Sequence, residues 1–369
     1  MAYQFIIFLV IVQSILFLGH WFLYKTVIFF FNLTNPGVTS PLKIILFIFS
    51  ISLVLASFLF FRYSNVLVRI VYVLAASWLG FLNFFILASL SSWIIYIAVQ
   101  KFSFSLNQKV LAGILFGLAM VVGIYGIVNA RTTRVTTISI KLPHLPEYWR
   151  GKIAVWISDI HLGPVRRYGF AKDVARKIQQ IQPDIVFIGG DLFDGGTFDL
   201  DGFTEPFSKI SAPDGVYFIT GNHEEFFDHA QYLEAVRQAG IKVLNNEIVN
   251  LKGLQIIGVD YRDSENRQKY EMILNGIKIN PNLPTILLKH SPNNLDIAHQ
   301  KGIALQLSGH THKGQIFPIN LITALVYHGY DYGFKKFGDL QIYTSSGVGT
   351  WGPPMRVGNI PEIMVIKFE

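Results

Sequence analysis

The first 130 residues are apolar in long unbroken stretches, and the remainder of the chain is apolar in short ones. Residues 5–24 (running on towards 31), 42–61, a segment within 66–99, and 110–130 each supply about 20 apolar positions, the length of helix that crosses roughly 30 Å of hydrocarbon. None keeps the polar stripe that a helix on a soluble core presents to water. They predict an all-α transmembrane region of four helices. Polar or turn-forming residues break it at 32–41, 62–65 and 101–109, and Trp21, Tyr24, Trp93 and Tyr96 stand near the expected ends as interfacial anchors. The first stretch lacks the positive start and small-residue cleavage site of a signal peptide, so it reads as an uncleaved span.

From about Arg150 the pattern changes. Short β-branched runs at 153–157, 185–188, 216–219, 254–259, 285–288, 303–307 and 340–344 read as buried strands, and helical periodicity occupies 170–180, 229–239 and 268–274. Strands alternating with helices predict an α/β domain. The chain divides into a transmembrane region over 1–130, the α/β domain over 150–369, and a stretch 131–149 whose Pro143 and Pro146 suit a linker or an edge strand.

Composition sharpens this division. Over 369 residues the chain is 51% hydrophobic and only 15% charged, which excludes disorder; it has no cysteine, which excludes disulfides and thiolate metal sites. A net charge of +7 would suit a nucleic-acid partner. Its distribution removes that reading. Residues 1–130 hold six basic residues (Lys25, Lys43, Arg62, Arg69, Lys101, Lys109) and no acidic one, and beyond them 25 basic residues nearly balance all 24 acidic ones. The basic surplus belongs to the apolar part, so the expected partner is the lipid bilayer and no nucleic acid. Arg62, Arg69, Arg131, Arg134 and Lys141 fall on the α/β domain's side against four lysines on the other, which by the positive-inside rule puts that domain on the cytoplasmic side of the cell membrane.

The residues just past the strands carry the chemistry. The runs end in Ser158-Asp159-Ile160-His161, Gly190-Asp191, Gly221-Asn222-His223-Glu224, His290, and Gly309-His310-Thr311-His312. In open α/β sheets the carboxyl ends of strands converge on one rim, so these residues are expected to meet there. They offer imidazoles, carboxylates and one amide oxygen without sulfur, a donor set for Mn, Fe, Zn or Co. They are too many for one ion, and two divalent ions sharing a bridging carboxylate would use them all. His20, His144, His229, His299 and His328 lack such a context and receive no role.

This order of motifs resembles the calcineurin-like metallophosphoesterases. The separations also fit: 30 residues from His161 to Asp191, 31 to Asn222, 67 from His223 to His290 and 20 to His310. The resemblance covers about residues 150–369, and the segments Tyr343-Thr344-Ser345-Ser346-Gly347, Gly352-Pro353-Pro354 and Pro361-Glu362-Ile363 are similar to the YkuE/YaeI-like, membrane-associated bacterial branch. It implies two facing mixed β-sheets flanked by helices. It further implies that Asp159, His161, Asp191 and His312 bind one metal ion, that Asp191, Asn222, His290 and His310 bind the other, and that Asp191 bridges them. His223, beside Asn222, is then the candidate for protonating the leaving group or stabilising the transition state. Arg166 and Arg167, close behind the first motif, are candidates for holding a substrate phosphate.

The expected activity is metal-dependent hydrolysis of a phosphoester or pyrophosphate bond, in a small molecule or a lipid. The apolar run 316–330 directly after the last motif is expected either at the membrane surface, guiding an acyl-bearing substrate, or in the core. The alternative class is a membrane metal-binding sensor or scaffold without turnover, against which the complete ligand set and His223 argue. A transporter is disfavoured, because ion pathways need ionisable groups inside the membrane and these spans have few.

Overall fold

The computed structural model describes every residue except 1, 64, 197–198 and 226–228. It contains two compact units, Met1–Val128 with Gly352–Met355, and Asn129–Trp351 with Arg356–Glu369.

The first unit holds α1 (Ala2–Phe30), α2 (Pro36–Arg62), α3 (Val66–Lys101) and α4 (Gln108–Asn129), each long and apolar enough to cross a membrane. Polar side chains mark the starts. Asn35 caps α2 by accepting from the Gly37 amide at 2.8 Å, and Asn65 caps α3 by accepting from Val68 at 3.0 Å. Within the apolar bundle two tryptophans pair with polar side chains of α1. Trp78 Nε1 donates to His20 Nε2 at 2.8 Å and Trp93 Nε1 to Thr26 Oγ1 at 3.0 Å, which gives His20 a packing role between helices.

The second unit is two six-stranded sheets. Its strands are β1 (Arg134–Ile140), β2 (Ile153–Ile157), β3 (Ile185–Ile188), β4 (Val216–Phe218), β5 (Lys242–Val243), β6 (Glu247–Leu251), β7 (Leu254–Gly258), β8 (Thr285–Leu288), β9 (Leu305–Ser308), β10 (Gly333–Phe337), β11 (Leu340–Thr344) and β12 (Glu362–Phe368). One sheet runs β1-β12-β2-β3-β4-β5 and the other β10-β11-β9-β8-β7-β6. β2 to β5 are parallel with β12 antiparallel beside them, and β7, β8, β9 and β11 are parallel between antiparallel edges β6 and β10. The helices are α5 (Tyr168–Ile181), α6 (Leu200–Ser208), α7 (His229–Gln238), α8 (Tyr261–Glu265), α9 (Arg267–Gly276), α10 (Leu295–Gln300) and α11 (Ile319–Val326). Of the two readings of 131–149, the free linker fails: residues 134–140 pair in parallel with β12 as the edge of the first sheet.

The unbroken apolar runs result from burial on both faces. In β2, Ala154 and Trp156 point between the sheets, where they meet Leu288, Leu305 and Tyr343, while Val155 and Ile157 point to Val174, Ile178 and Val236 of the outer helices. The second sheet repeats this, with Ile257, Leu287 and Ile342 packed on Tyr270 and Leu274. Each parallel strand is thereby clamped from two sides and delivers its last residue to the same rim. Trp156 is fully buried at the centre. Trp156→Ala should cost about 3–5 kcal/mol of domain stability; near-ultraviolet circular dichroism during denaturant unfolding would contradict the packing if the midpoint stayed put.

Candidate metal centre

The loops beyond the strands extend the sheet. The Asp159 amide donates to the Gly190 carbonyl at 3.0 Å, His161 to Asp191 at 3.0 Å and Leu162 to Leu192 at 2.8 Å, so the loops after β2 and β3 are zipped together. Side chains lock the remaining loops to these. The His223 amide donates to Asp191 Oδ1 at 2.8 Å, and the His310 amide to Asp159 Oδ1 at 3.0 Å. Such close approach needs glycine at two places. A Cβ on Gly221 would meet Asp191 Oδ1 at 2.2 Å, and one on Gly309 would meet Asp159 Oδ2 at 2.4 Å. Asp159, His161, Asp191, His310 and His312 all have φ between 49° and 68°, the left-handed region that side chains disfavour. Five strained residues in one cluster point to function, since strain persists where the surroundings enforce it.

The side chains form two adjoining groups. Potential ligand atoms of Asp159, His161 and His312 lie within 4.8 Å of one another, as do those of Asp191, His290 and His310. Asp191 stands between the groups, with Oδ2 3.3 Å from His290 Nε2 and 3.8 Å from His161 Nε2. Asn222 joins the second group through Oδ1, 2.9 Å from His310 Nδ1. His290 Nδ1 is 2.6 Å from the Gly189 carbonyl, which only accepts, so this nitrogen carries the proton and Nε2 presents its lone pair to the cluster. That buried Nε2 has no aligned hydrogen-bond partner among the described residues. His161 and His312 approach Nε2 to Nε2 at 3.0 Å, a spacing natural for neighbouring ligands with bonds of about 2.1 Å. An orphaned lone pair, two facing imidazoles and sulfur-free donors fit borderline divalent cations.

Electrostatics agree with this. Burial disfavours charge on Asp191, yet His290 and His223 outweigh it and hold its carboxyl well below the ordinary range. Burial likewise lowers His290, and Asp191 and Asp159 reverse the shift to about 10. Buried carboxylates are thus drawing positive charge to that nitrogen, and a proton and a metal ion would compete for it. His310 is pushed down to about 4 by burial and by His290, and His312 falls by burial and the adjacent Arg356. Both imidazoles are neutral, as ligation requires.

His223 is buried with its ring centroid 4.6 Å from that of His161, and its Nδ1 is 3.5 Å from Asp194 Oδ1. Burial lowers its pKa. Arg166 is buried, donates to the Ala130 carbonyl and lies over the Phe170 ring at 4.5 Å, so its guanidinium is engaged inside the domain. Arg167 is exposed and lies over Phe203 at 5.9 Å, outside the buried cluster.

Three residues of the site escape a reading that looks only for ligands. Glu224 is fully buried and accepts from the amides of Asp191, Leu192 and Gly221 at 2.8–2.9 Å, tying the β3 and β4 loops together. Asp194 lies 3.2 Å from His161 Nδ1 and reaches His223 as well. Arg356, fully buried, donates to the carbonyls of Ser346 at 2.6 Å and His312 at 3.1 Å and lies 3.1 Å from His312 Nδ1, fixing that ring. The signals available were Glu224 closing its motif and Asp194 three residues beyond Asp191; Arg356 had none, being 44 residues from its histidine. Glu224→Ala would strand several buried amides at about 1–3 kcal/mol each. Its unfolding midpoint in denaturant should fall sharply, and an unchanged midpoint would refute this strut.

Comparison with known proteins agrees with the geometry. The family model described as calcineurin-like phosphoesterase matches residues 154–314. An "uncharacterized metallophosphoesterase" of Aquifex aeolicus is 33% identical over 258 residues, covering 68% of this chain and 98% of that one. A "transmembrane protein with metallophosphoesterase domain" of Danio rerio is 32% identical over 284 residues, with 72% of this chain and 63% of the relative covered. The Bacillus subtilis "uncharacterized metallophosphoesterase YkuE" is 29% identical over 250 residues, 63% of this chain and 84% of its own length. Fold, ordered motifs and relatives converge: the chain belongs to the calcineurin-like phosphoesterase family.

Proposed function

We propose that this membrane protein is a dinuclear metal-dependent phosphohydrolase, with a phosphate or pyrophosphate carried on a membrane lipid as its substrate class. The observation that carries the reading is Asp191, whose carboxylate lies between His161 and His290. Asp159, His161, Asp191 and His312 would hold one ion, and Asp191, Asn222, His290 and His310 the other. When bound, such a pair offsets phosphate charge and supplies hydroxide near neutral pH.

The chain's own residues do the rest. The Gly189 carbonyl orients the His290 ring from behind and turns its Nε2 to the cluster, while Arg356 packs against the His312 ring. Asp194 lies beside both His161 and His223 and orients the latter. As water oxygen bonds to phosphorus and the phosphorus–leaving-group bond breaks, His223 stands to donate a hydrogen bond to, or protonate, the departing oxygen, with burial opposing its charged form and Asp191 and Asp194 favouring it. The excess of basic residues at helix ends on the domain's side supports a cytoplasmic site.

Screening the Mn-loaded full-length protein against phosphomonoester, phosphodiester and lipid-pyrophosphate substrates tests the reading. Turnover of at least one class is expected; a protein that holds metal and turns over none would be the sensor or scaffold instead. Asp191→Ala should lose both ions by elemental analysis, and a variant that still holds two would refute the bridge. His223→Ala should keep its metal and lose about 10²–10⁴-fold in kcat; undiminished kcat would remove His223 from the mechanism.

A further inference from the structure

α11 (Ile319–Val326) is built the wrong way round for water. Where α5, α7 and α9 each bury residues against a sheet, α11 buries none. Leu325 is 77% exposed, Leu321 and Val326 60%, and Ile322 58%. Its polar residues face the protein. Thr323 Oγ1 donates to the Asn320 carbonyl at 3.1 Å and lies 3.2 Å from Asp331 Oδ2. The Asn320 backbone packs on Gly314, where a Cβ would meet its nitrogen at 2.2 Å. Within the run 316–330, Ile316 is buried and Tyr330 packs on the core, but α11 itself is not core-packed. Thr323 finds its partners on the inner side, and the leucines and isoleucines project outward.

We infer that α11 is a bilayer-seated platform that holds the rim of the metal centre at the lipid headgroups. Four features select a lipid surface as its occupant. The same chain carries four helices long and apolar enough to cross a membrane. Only residues 130–133 connect α4 to β1, so the tether is at most about 15 Å long. Exposed Lys335 and Lys336 follow on β10 with exposed Asp339 just after them, and Asp331 is buried, which leaves a small positive excess toward anionic headgroups. A short helix with one apolar face and basic neighbours lies in a membrane interface with that face down.

The platform borders the chemistry. The helix comes directly after the His312–Gly314 turn, and Tyr327, just past its end, has its ring centroid 6.3 Å from that of His310. Trp351, 58% exposed, is held by paired hydrogen bonds with Gln315 at 2.8 Å, and its ring centroid is 6.3 Å from that of His223. An amphiphile whose tail stays in the bilayer thus has its phosphate at the cluster. This part rests on the hydrolase reading; the bilayer contact does not.

The cysteine-free sequence makes the test direct, since Leu325→Cys in the full chain carries a single thiol for a nitroxide label. In vesicles of phosphatidylcholine and phosphatidylglycerol the label should collide with oxygen and be shielded from a water-soluble nickel chelate. Met272→Cys on α9, at a side chain 72% exposed, should show the reverse. Nickel access at 325 equal to that at 272 would overturn the contact, and so would spin–spin broadening from a second copy covering the helix. For delivery, Leu321→Ser/Leu325→Ser should lower the ratio of lipid-phosphate to soluble-phosphoester turnover at least about tenfold, the scale of withdrawing a leucine from an apolar medium. An unchanged ratio would overturn delivery alone. An unsubstituted protein that hydrolyses neither substrate would instead sink the hydrolase reading, leaving the label result to stand.

Discussion

Asp191 lies buried three residues past the end of β3, and a buried carboxylate is costly unless positive charge meets it. Much of the domain's architecture answers that requirement. His290 and His161 approach it from two strand ends, the His223 amide donates to it, and Glu224 holds its backbone. The left-handed φ at five cluster residues and the bare glycines, 221 against Asp191 and 309 against Asp159, are what it takes to bring that many groups around the two carboxylates. The zipped loops and doubly buried strands supply the rigidity that keeps the geometry from relaxing.

The same constraint explains how much is legible in the sequence. A buried parallel strand must be apolar on both faces and must end where the chain turns polar. The runs at 153–157, 185–188 and 285–288 therefore match their strands, and Asp159, Asp191 and His290 stand just beyond them at the rim. Residues that act through others are harder to see. Arg356 and Asp194 lie behind ligands, and no spacing rule links a buried guanidinium to the ring it steadies. Two adjacent arginines read alike in the sequence, whereas Arg166 turns inward to the Ala130 carbonyl and Phe170 and Arg167 is exposed. β1 is indistinct because an edge strand is only half buried and its pattern mixes exposed residues with apolar ones.

Hydrophobicity has two uses along this chain. In 1–130 it runs round whole helices, where a membrane replaces water. In α11 it covers one face of eight residues, too few to span anything and enough to rest on a surface. The contact of Thr323 with Asp331 lies on the opposite side of the helix from that face. The fold thereby joins a buried polar centre to an exposed apolar border within a few residues of His312.

The central claim is that Asp191 belongs to two metal ions at once. Low-temperature electron paramagnetic resonance of the full-length protein loaded with Mn²⁺ tests it most directly. An exchange-coupled signal from a bridged pair is predicted, growing with the second equivalent of metal. An isolated mononuclear Mn²⁺ spectrum at saturating metal would contradict it.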